Sequence, residues 1–163
     1  MFKKLKSKYY KNVRLGIYQV FVKHFKLRVL RVKPCTSITT ISLPTYVPHI
    51  CHYYSKFVED TTYLKSKPII LLDLKNKEIV THFILTDGFN FYDCSLNENE
   101  LNTLRYFEFP EDIEKEIMKH NHPDKRLFAA KSILASAITI KSKYVGKLFL
   151  WRLLELNNKN RYL

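Results

Sequence analysis

Acidic residues are missing from the first 58 positions of the chain; the first is Glu59. Glycine is almost as sparse, with 3 in 163 residues. No GxGxxG or P-loop pattern occurs, so the phosphate-cradling loops of nucleotide-binding proteins are excluded. There is no uncharged apolar run of the roughly 18 residues that a spanning helix requires. The nearest, "ILASAITI" at 133–140, is short and flanked by Lys131 and Lys141. The N-terminus lacks a secretory apolar core and is instead basic and aromatic, compatible with import into an organelle. Cysteine is also limited. Cys35, Cys51 and Cys94 are odd in number, widely spaced and form no CxxC. That pattern supports neither a zinc site nor a disulfide framework, and the expectation is free thiols in a reducing compartment.

What the chain has in excess is positive charge. Lys and Arg number 28 against 15 Asp and Glu, a net charge of +13. Such a balance points to a polyanionic partner. It is unevenly spread: the first 33 residues carry eleven cations, Lys3, Lys4, Lys6, Lys8, Lys11, Arg14, Lys23, Lys26, Arg28, Arg31 and Lys33. Phe2, Tyr9, Tyr10, Tyr18, Phe21 and Phe25 are interleaved with them. Lys and Arg neutralise phosphates, and aromatic rings stack on unpaired bases, so this segment is read as an RNA-contacting surface. A charge run is more often a solvated face backed by core aromatics; the absence of acids over 58 residues tips the balance.

Residues 1–16 read as a basic arm. Alternation of Leu27, Val29, Leu30 and Val32 with Lys and Arg predicts a strand over 25–33, closed by Pro34. A Ser/Thr-rich loop follows. Ile50, Tyr53, Tyr54, Phe57 and Val58 then recur at helical spacing, with Pro48 suited to an early helical position. "IILLDL" after Pro68 predicts a buried strand and "EIVTHFILT" another. Asp87-Gly88 is a hairpin signal leading into a fourth strand, "FNFYDCSL". Ser95 or Asn97 is then expected to cap a helix with Glu98 and Glu100 in its first turn and an apolar face of Leu101, Leu104 and Phe107. A short acidic helix starts at Pro110, and longer helices follow from about residue 123. This order gives an α/β fold, a small mixed sheet flanked by helices of thioredoxin-like type. The implied organisation is a basic arm at 1–16, a domain at 17–109 and a helical C-terminal extension at 110–163. Leu148, Phe149, Trp151, Leu153 and Leu154 leave the last helix little polar face, which suits burial in the same domain or against a partner protein.

The segments "FKLRVLRVKP", "HYYSKFVEDTTYLKSKPIILLDLKNK" and "THFILTDGFNFYDCSLNENELNTL" resemble a thioredoxin-like family of mitochondrial ribosomal proteins. That family includes protein twenty-five of the small subunit and has relatives in the large subunit and in respiratory complex I. "YKNVRLGIYQVFVKHF" and "NHPDKRLF" are similar to the small-subunit member as well. The resemblance covers roughly residues 9–107 and rests on residue classes rather than rare groups. It implies a non-enzymatic constituent of the mitochondrial ribosome in the matrix, without cofactor or membrane span. The eleven cations would hold rRNA, and the C-terminal helices would dock on neighbouring ribosomal proteins. Some small-subunit members carry downstream cysteines suited to a metal or cluster; none follows Cys94 here. An active thioredoxin needs a second cysteine where "PCTSI" has Ile38, so dithiol chemistry is not expected.

Two histidine groups offer chemistry. His120 and His122 with Asp124 suit a metal pair or the acid–base couple of a small basic ribonuclease, but HxH beside Pro is a weak pattern. His49 and His52 flank Cys51 and would share a helical face. Packing and surface hydrogen bonding are the ordinary explanation for both. An accessory subunit of respiratory complex I and a basic ribonuclease remain alternatives to the ribosomal role.

Overall fold

In the computed structural model, residues 27–100 and 102–145 are described. The arm at 1–16, the cations through Lys26, the aromatics through Phe25 and the apolar tail residues Leu148 to Leu154 lie outside them. Among the described residues the fold is α/β, with one mixed six-stranded sheet and three α-helices. Strands β1 (Val29–Leu30) and β2 (Val32–Pro34) are followed by helix α1 (Cys51–Thr61). Next come β3 (Lys65–Asp73), β4 (Glu78–Thr86), β5 (Phe91–Asp93) and β6 (Leu104–Glu108). Helices α2 (Glu111–Met118) and α3 (Pro123–Val145) complete it.

The order in the sheet is β1-β6-β3-β4-β5-β2. The expected single strand over 25–33 is thus two short strands separated by Arg31. One half pairs antiparallel with β6 and the other parallel with β5. Because β1 and β2 are neighbours in the chain yet stand at opposite ends of the sheet order, the sheet nearly closes into a barrel. Closure removes the exposed edges that an open sheet would leave.

The long hairpin β3–β4 runs in register from Lys65↔Thr86 to Asp73↔Glu78. Its turn is organised by Asp73, whose carboxylate accepts the backbone N–H groups of Lys75 and Asn76 at 2.9 Å each. Pro68 is tolerated in β3 because the β6 ladder begins only at Ile69. Successive residues Ile69 and Ile70 are both buried, on opposite faces. Ile69 packs with Leu30, Val32, Ile84 and Tyr106. Ile70 packs with Leu72, Phe83 and Phe107 against Ile117 of α2 and Ala130 and Leu134 of α3. Helices α2 and α3 therefore share the sheet's core. Two buried cations fasten them: Lys67 Nζ donates to Glu108 and Glu114 at 2.8 and 2.7 Å, and Arg126 Nη1 to Glu59 at 2.9 Å. No helix among the described residues is long and apolar enough to cross a membrane.

Three further expectations are corrected. The predicted helix after Ser95 is a 3₁₀ turn at Glu98–Glu100 followed by β6. Leu104, Tyr106 and Phe107 obey strand periodicity here, because β6 fills the slot between β1 and β3. Helix α1 starts at Cys51 rather than near Pro48, since Pro48 and His49 form a turn with His49 at φ 70°. Finally, Cys35 and Cys94 form a disulfide. The parallel register pairs Pro34 with Asp93, so the next residue on each strand is a cysteine, with Cα atoms 4.7 Å apart. Linear spacing could not reveal this contact between chain segments 59 residues apart.

Peptide mapping without reductant should recover residues 35 and 94 in one linked peptide and Cys51 as a free thiol. Replacing both bridge cysteines by Ser should cost about 2–4 kcal/mol in denaturant unfolding, as expected for a cross-link closing a loop of this length. An unchanged stability would show that the bridge is not formed.

Candidate active site

Helix α1 presents its first residue, Cys51, toward the sheet. The preceding Ile50 makes no side-chain cap. The first-turn N–H groups therefore have no side-chain cap from Ile50. The left-handed His49 and the turn before it aim this end of the helix. Cys51 is partly buried and is the free cysteine among the described residues.

Opposite it stands His82, a buried imidazole in an otherwise apolar stretch of β4. The β4–β5 register, Leu85↔Tyr92 and Thr86↔Phe91, continues to place His82 across from Ser95 and diagonal to Asp93. His82 Nε2 lies 3.0 Å from Asp93 Oδ2. Asp93 is only 2% exposed and is saturated with donors. It accepts from Tyr106 O–H at 2.7 Å, from Ser95 O–H at 2.6 Å and from Ser95 N–H at 2.9 Å. Ser95 Oγ also lies 3.3 Å from His82 Nε2.

The electrostatics follow from this geometry. For Cys51, burial opposes ionisation but is outweighed by the charge of His82, then by hydrogen bonding from His52 and from His82, and last by the Phe83 N–H. The net effect lowers the thiol to about 6, so it is a thiolate at neutral pH. For His82, burial favours the neutral ring, but the Asp93 carboxylate and the Cys51 thiolate raise its pKa well above the ordinary value. Burial likewise opposes the charge on Asp93, and His82, Ser95 and Tyr106 overcome it, holding the carboxyl at about 2. Cys51, His82 and Asp93 thus form a thiolate–imidazolium pair backed by a carboxylate. That arrangement fits nucleophilic catalysis: a nucleophile, a base beside it and a third group orienting the base.

Tyr46 borders the same centre. Burial raises its hydroxyl to about 12, reinforced by the charges of Cys51 and Asp93. The group therefore keeps its proton and is available as a donor. On α3, burial lowers the pKa of Lys131, and the Cys51 charge opposes that shift.

The histidine groups singled out in the sequence are arranged otherwise. His49 is exposed, whereas His52 is buried with Nε2 3.2 Å from Asp124, so the two do not share a site. Asp124 also accepts the Tyr53 hydroxyl at 2.5 Å and lies 3.9 Å from His122. His120 contributes its backbone carbonyl to Arg126 Nε at 2.5 Å. Among the described residues no group of three His, Cys, Asp or Glu side chains is placed to hold a metal. Of the eleven cations expected to hold phosphates, Lys3, Lys4, Lys6, Lys8, Lys11, Arg14, Lys23 and Lys26 lie outside the described residues. Arg28, Arg31 and Lys33 are exposed; Arg28 reaches Glu108 at 3.5 Å and Lys33 reaches Asn90 at 3.2 Å.

Sequence reasoning missed His82 and Asp93 altogether and read Cys51 only beside its neighbouring histidines. The available signals were slight: a lone His in an apolar strand, and a Cys just after a Pro-His turn at a helix start. Comparison with protein-family models, with curated proteins and with solved structures finds no match.

Alkylation of Cys51 by iodoacetamide should follow a titration centred near pH 6. His82→Ala should move that midpoint up toward the ordinary thiol value of about 8.5. The sign follows from the charge pair: the imidazolium favours thiolate, so its loss restores the thiol. A native midpoint near that of a free cysteine would contradict the pairing.

Proposed function

We propose that this chain is a cysteine-dependent acyl hydrolase or acyltransferase using Cys51, His82 and Asp93 as nucleophile, base and orienting carboxylate. Behind this reading stand the His82–Asp93 pair at 3.0 Å and the lowering of the Cys51 thiol by the neighbouring His82 charge, with Cys51 at an uncapped helix N-terminus. The Cys51 thiolate attacks the carbonyl carbon of an ester, thioester or amide. The carbonyl oxygen becomes an oxyanion, for which the Cys51 backbone N–H and the Tyr46 hydroxyl are the available donors. Collapse of that intermediate breaks the bond to the leaving group, which takes a proton from the His82 imidazolium. The acyl group then stands on Sγ as a thioester. His82, now neutral, removes a proton from water or from an acceptor nucleophile that attacks the thioester, and the thiolate and imidazolium are regenerated. Asp93 keeps the ring in the tautomer and orientation both half-reactions require.

Burst kinetics with p-nitrophenyl acetate, and an acetyl adduct on Cys51 by mass spectrometry, are the expected results. Cys51→Ala should abolish both, and His82→Ala should lower kcat/KM by about 10²–10⁴. Asp93→Asn should fall between native and His82→Ala. Turnover that survives Cys51→Ala would sink the reading.

A second reading is favoured by a different observation, the net charge of +13 concentrated in an acid-free leading segment. On it the chain is a non-catalytic, thioredoxin-like constituent of a mitochondrial ribosome, binding rRNA and neighbouring ribosomal proteins in the matrix. Neutralisation of phosphates by all eleven cations corresponds to a slope near −8 in log affinity against log salt on single-stranded RNA, from about −0.7 per contact. Filter binding across a salt series measures this, and a flat response would remove the reading.

A further inference from the structure

Away from the thiol, one apolar side chain is held out into solvent by the fold. Phe89 is 93% exposed, more than any other large apolar side chain among the described residues. It stands at the tip of the β4–β5 turn, and that turn is heavily bonded. Asp87 accepts the N–H groups of Phe89 and Asn90 at 2.9 and 2.7 Å and the Asn90 side-chain amide at 3.2 Å. Thr86 Oγ1 donates to the Asn90 carbonyl at 2.8 Å and accepts the Gly88 N–H at 3.0 Å. Gly88, at φ 96°, supplies the left-handed step that carries the chain around. A ring on so fixed a backbone has little freedom left to lose on binding.

Three cations border the turn, and strand pairing puts them there. The parallel β2–β5 register sets Val32 beside Phe91 and Lys33 beside Tyr92, so Arg31 and Lys33, the exposed cations at the described end of the basic segment, run alongside the turn. Lys33 Nζ donates to the Asn90 side-chain carbonyl at 3.2 Å. On the other flank, exposed Lys65 pairs with Thr86, the residue on which the turn closes. The one carboxylate of the turn, Asp87, is occupied by the N–H groups just named and accepts the Tyr92 hydroxyl at 3.4 Å. The surface is therefore net positive, with a free aromatic face between its cations.

We infer that the β4–β5 turn is a contact site for single-stranded nucleic acid, with Phe89 stacking on an unpaired base and Arg31, Lys33 and Lys65 holding the adjoining phosphates. The inference rests on the polyanion reading of the surplus charge and not on the thiol, and it adds to the basic segment a place where a base is held. Stacking is the chemistry that one isolated, preoriented ring supplies, because every base has a π face. Unpaired strands are favoured over a duplex, whose base faces are covered by their neighbours. An anionic membrane also attracts cations. A single ring buries little apolar surface there, and its insertion would carry the polar Asp87 and Asn90 along with it.

The test uses the full chain and a single-stranded RNA of about twelve nucleotides carrying 2-aminopurine bases, whose fluorescence changes on stacking. Phe89→Ala should weaken binding about 5- to 150-fold, the range for losing one stacked base, and should reduce the fluorescence change. Because no charge is removed, the slope of log affinity against log salt should stay as in the native protein. Phe89→Trp should restore both affinity and signal. The double variant Lys33→Ala/Lys65→Ala should instead lower the slope by about 1.4 and keep the signal. All three positions are exposed, so these variants should fold as the native chain does. Native, salt-dependent binding that Phe89→Ala leaves unaltered would overturn the stacking site while the polyanion reading stands. If the native protein does not bind the RNA at low salt, that reading fails together with the site. Loss of flotation with phosphatidylserine vesicles in Phe89→Ala, with RNA binding intact, would assign the ring to a membrane and overturn the inference.

Discussion

The carboxylate of Asp93 is the constraint around which the structure is arranged. A nearly inaccessible charge is very costly unless every lone pair finds a donor. Here it meets four: the imidazole of His82, the hydroxyls of Tyr106 and Ser95, and the Ser95 backbone N–H. These donors come from β4, from β6 and from the turn after β5. Satisfying Asp93 therefore requires three parts of the sheet to be in register at once. A slip of one residue in β5 would carry the carboxylate to the opposite face and leave a charged histidine buried without its partner.

Several features serve that register. The β4–β5 connection is a short loop in which the Asp87 carboxylate accepts the N–H groups of Phe89 and Asn90 at 2.9 and 2.7 Å, with Gly88 at φ 96°. Asp87 is thereby held at about 2, chiefly through the Asn90 N–H. On the far side, β5 is flanked by β2 and locked to it by the disulfide one residue past Asp93. The bend at Arg31 allows a single passage of chain to close both ends of the sheet, and so encloses the face on which Ile69, Ile84 and Tyr106 pack. The bridge is an anchor for Asp93 first and a stabiliser second.

Much of this framework was legible in the residues. The apolar run after Pro68, the strand "EIVTHFILT", the Asp-Gly turn and the acidic helix after Pro110 all appear where the sequence places them. What could not be read depends on contacts between distant segments. "NELNTLRYFEF" carries both a helical face and strand alternation, and only the vacant place between β1 and β3 decides for the strand. Cys35 and Cys94 look unrelated until the parallel pairing brings them together. The triad is of the same kind: Cys51, His82 and Asp93 are separated by intervals that carry no motif, and their meaning arises when α1, β4 and β5 converge. A thioredoxin-like arrangement was the nearest general expectation for strand–helix–strand–strand, and the observed sheet supports it only as far as α/β with a mixed sheet.

The acids of the middle of the chain show how the site and the charge imbalance relate. Glu59 neutralises buried Arg126, while Glu108 and Glu114 neutralise buried Lys67. Asp93 serves His82, and Asp124 serves His52 and Tyr53. These carboxylates are committed to internal partners, so they do little to offset the basic leading segment. The two properties are physically separable. The positive surplus acts at long range, is screened within about 10 Å at 0.1 M salt, and attracts polyanions whatever their sequence. The His82–Asp93 pair acts over a hydrogen-bond distance of 3.0 Å in a buried setting where salt has little access. A protein that needed only to contact a polyanion would gain nothing from desolvating a thiol, an imidazole and a carboxylate in line. That cost is what makes the line the stronger indicator of function.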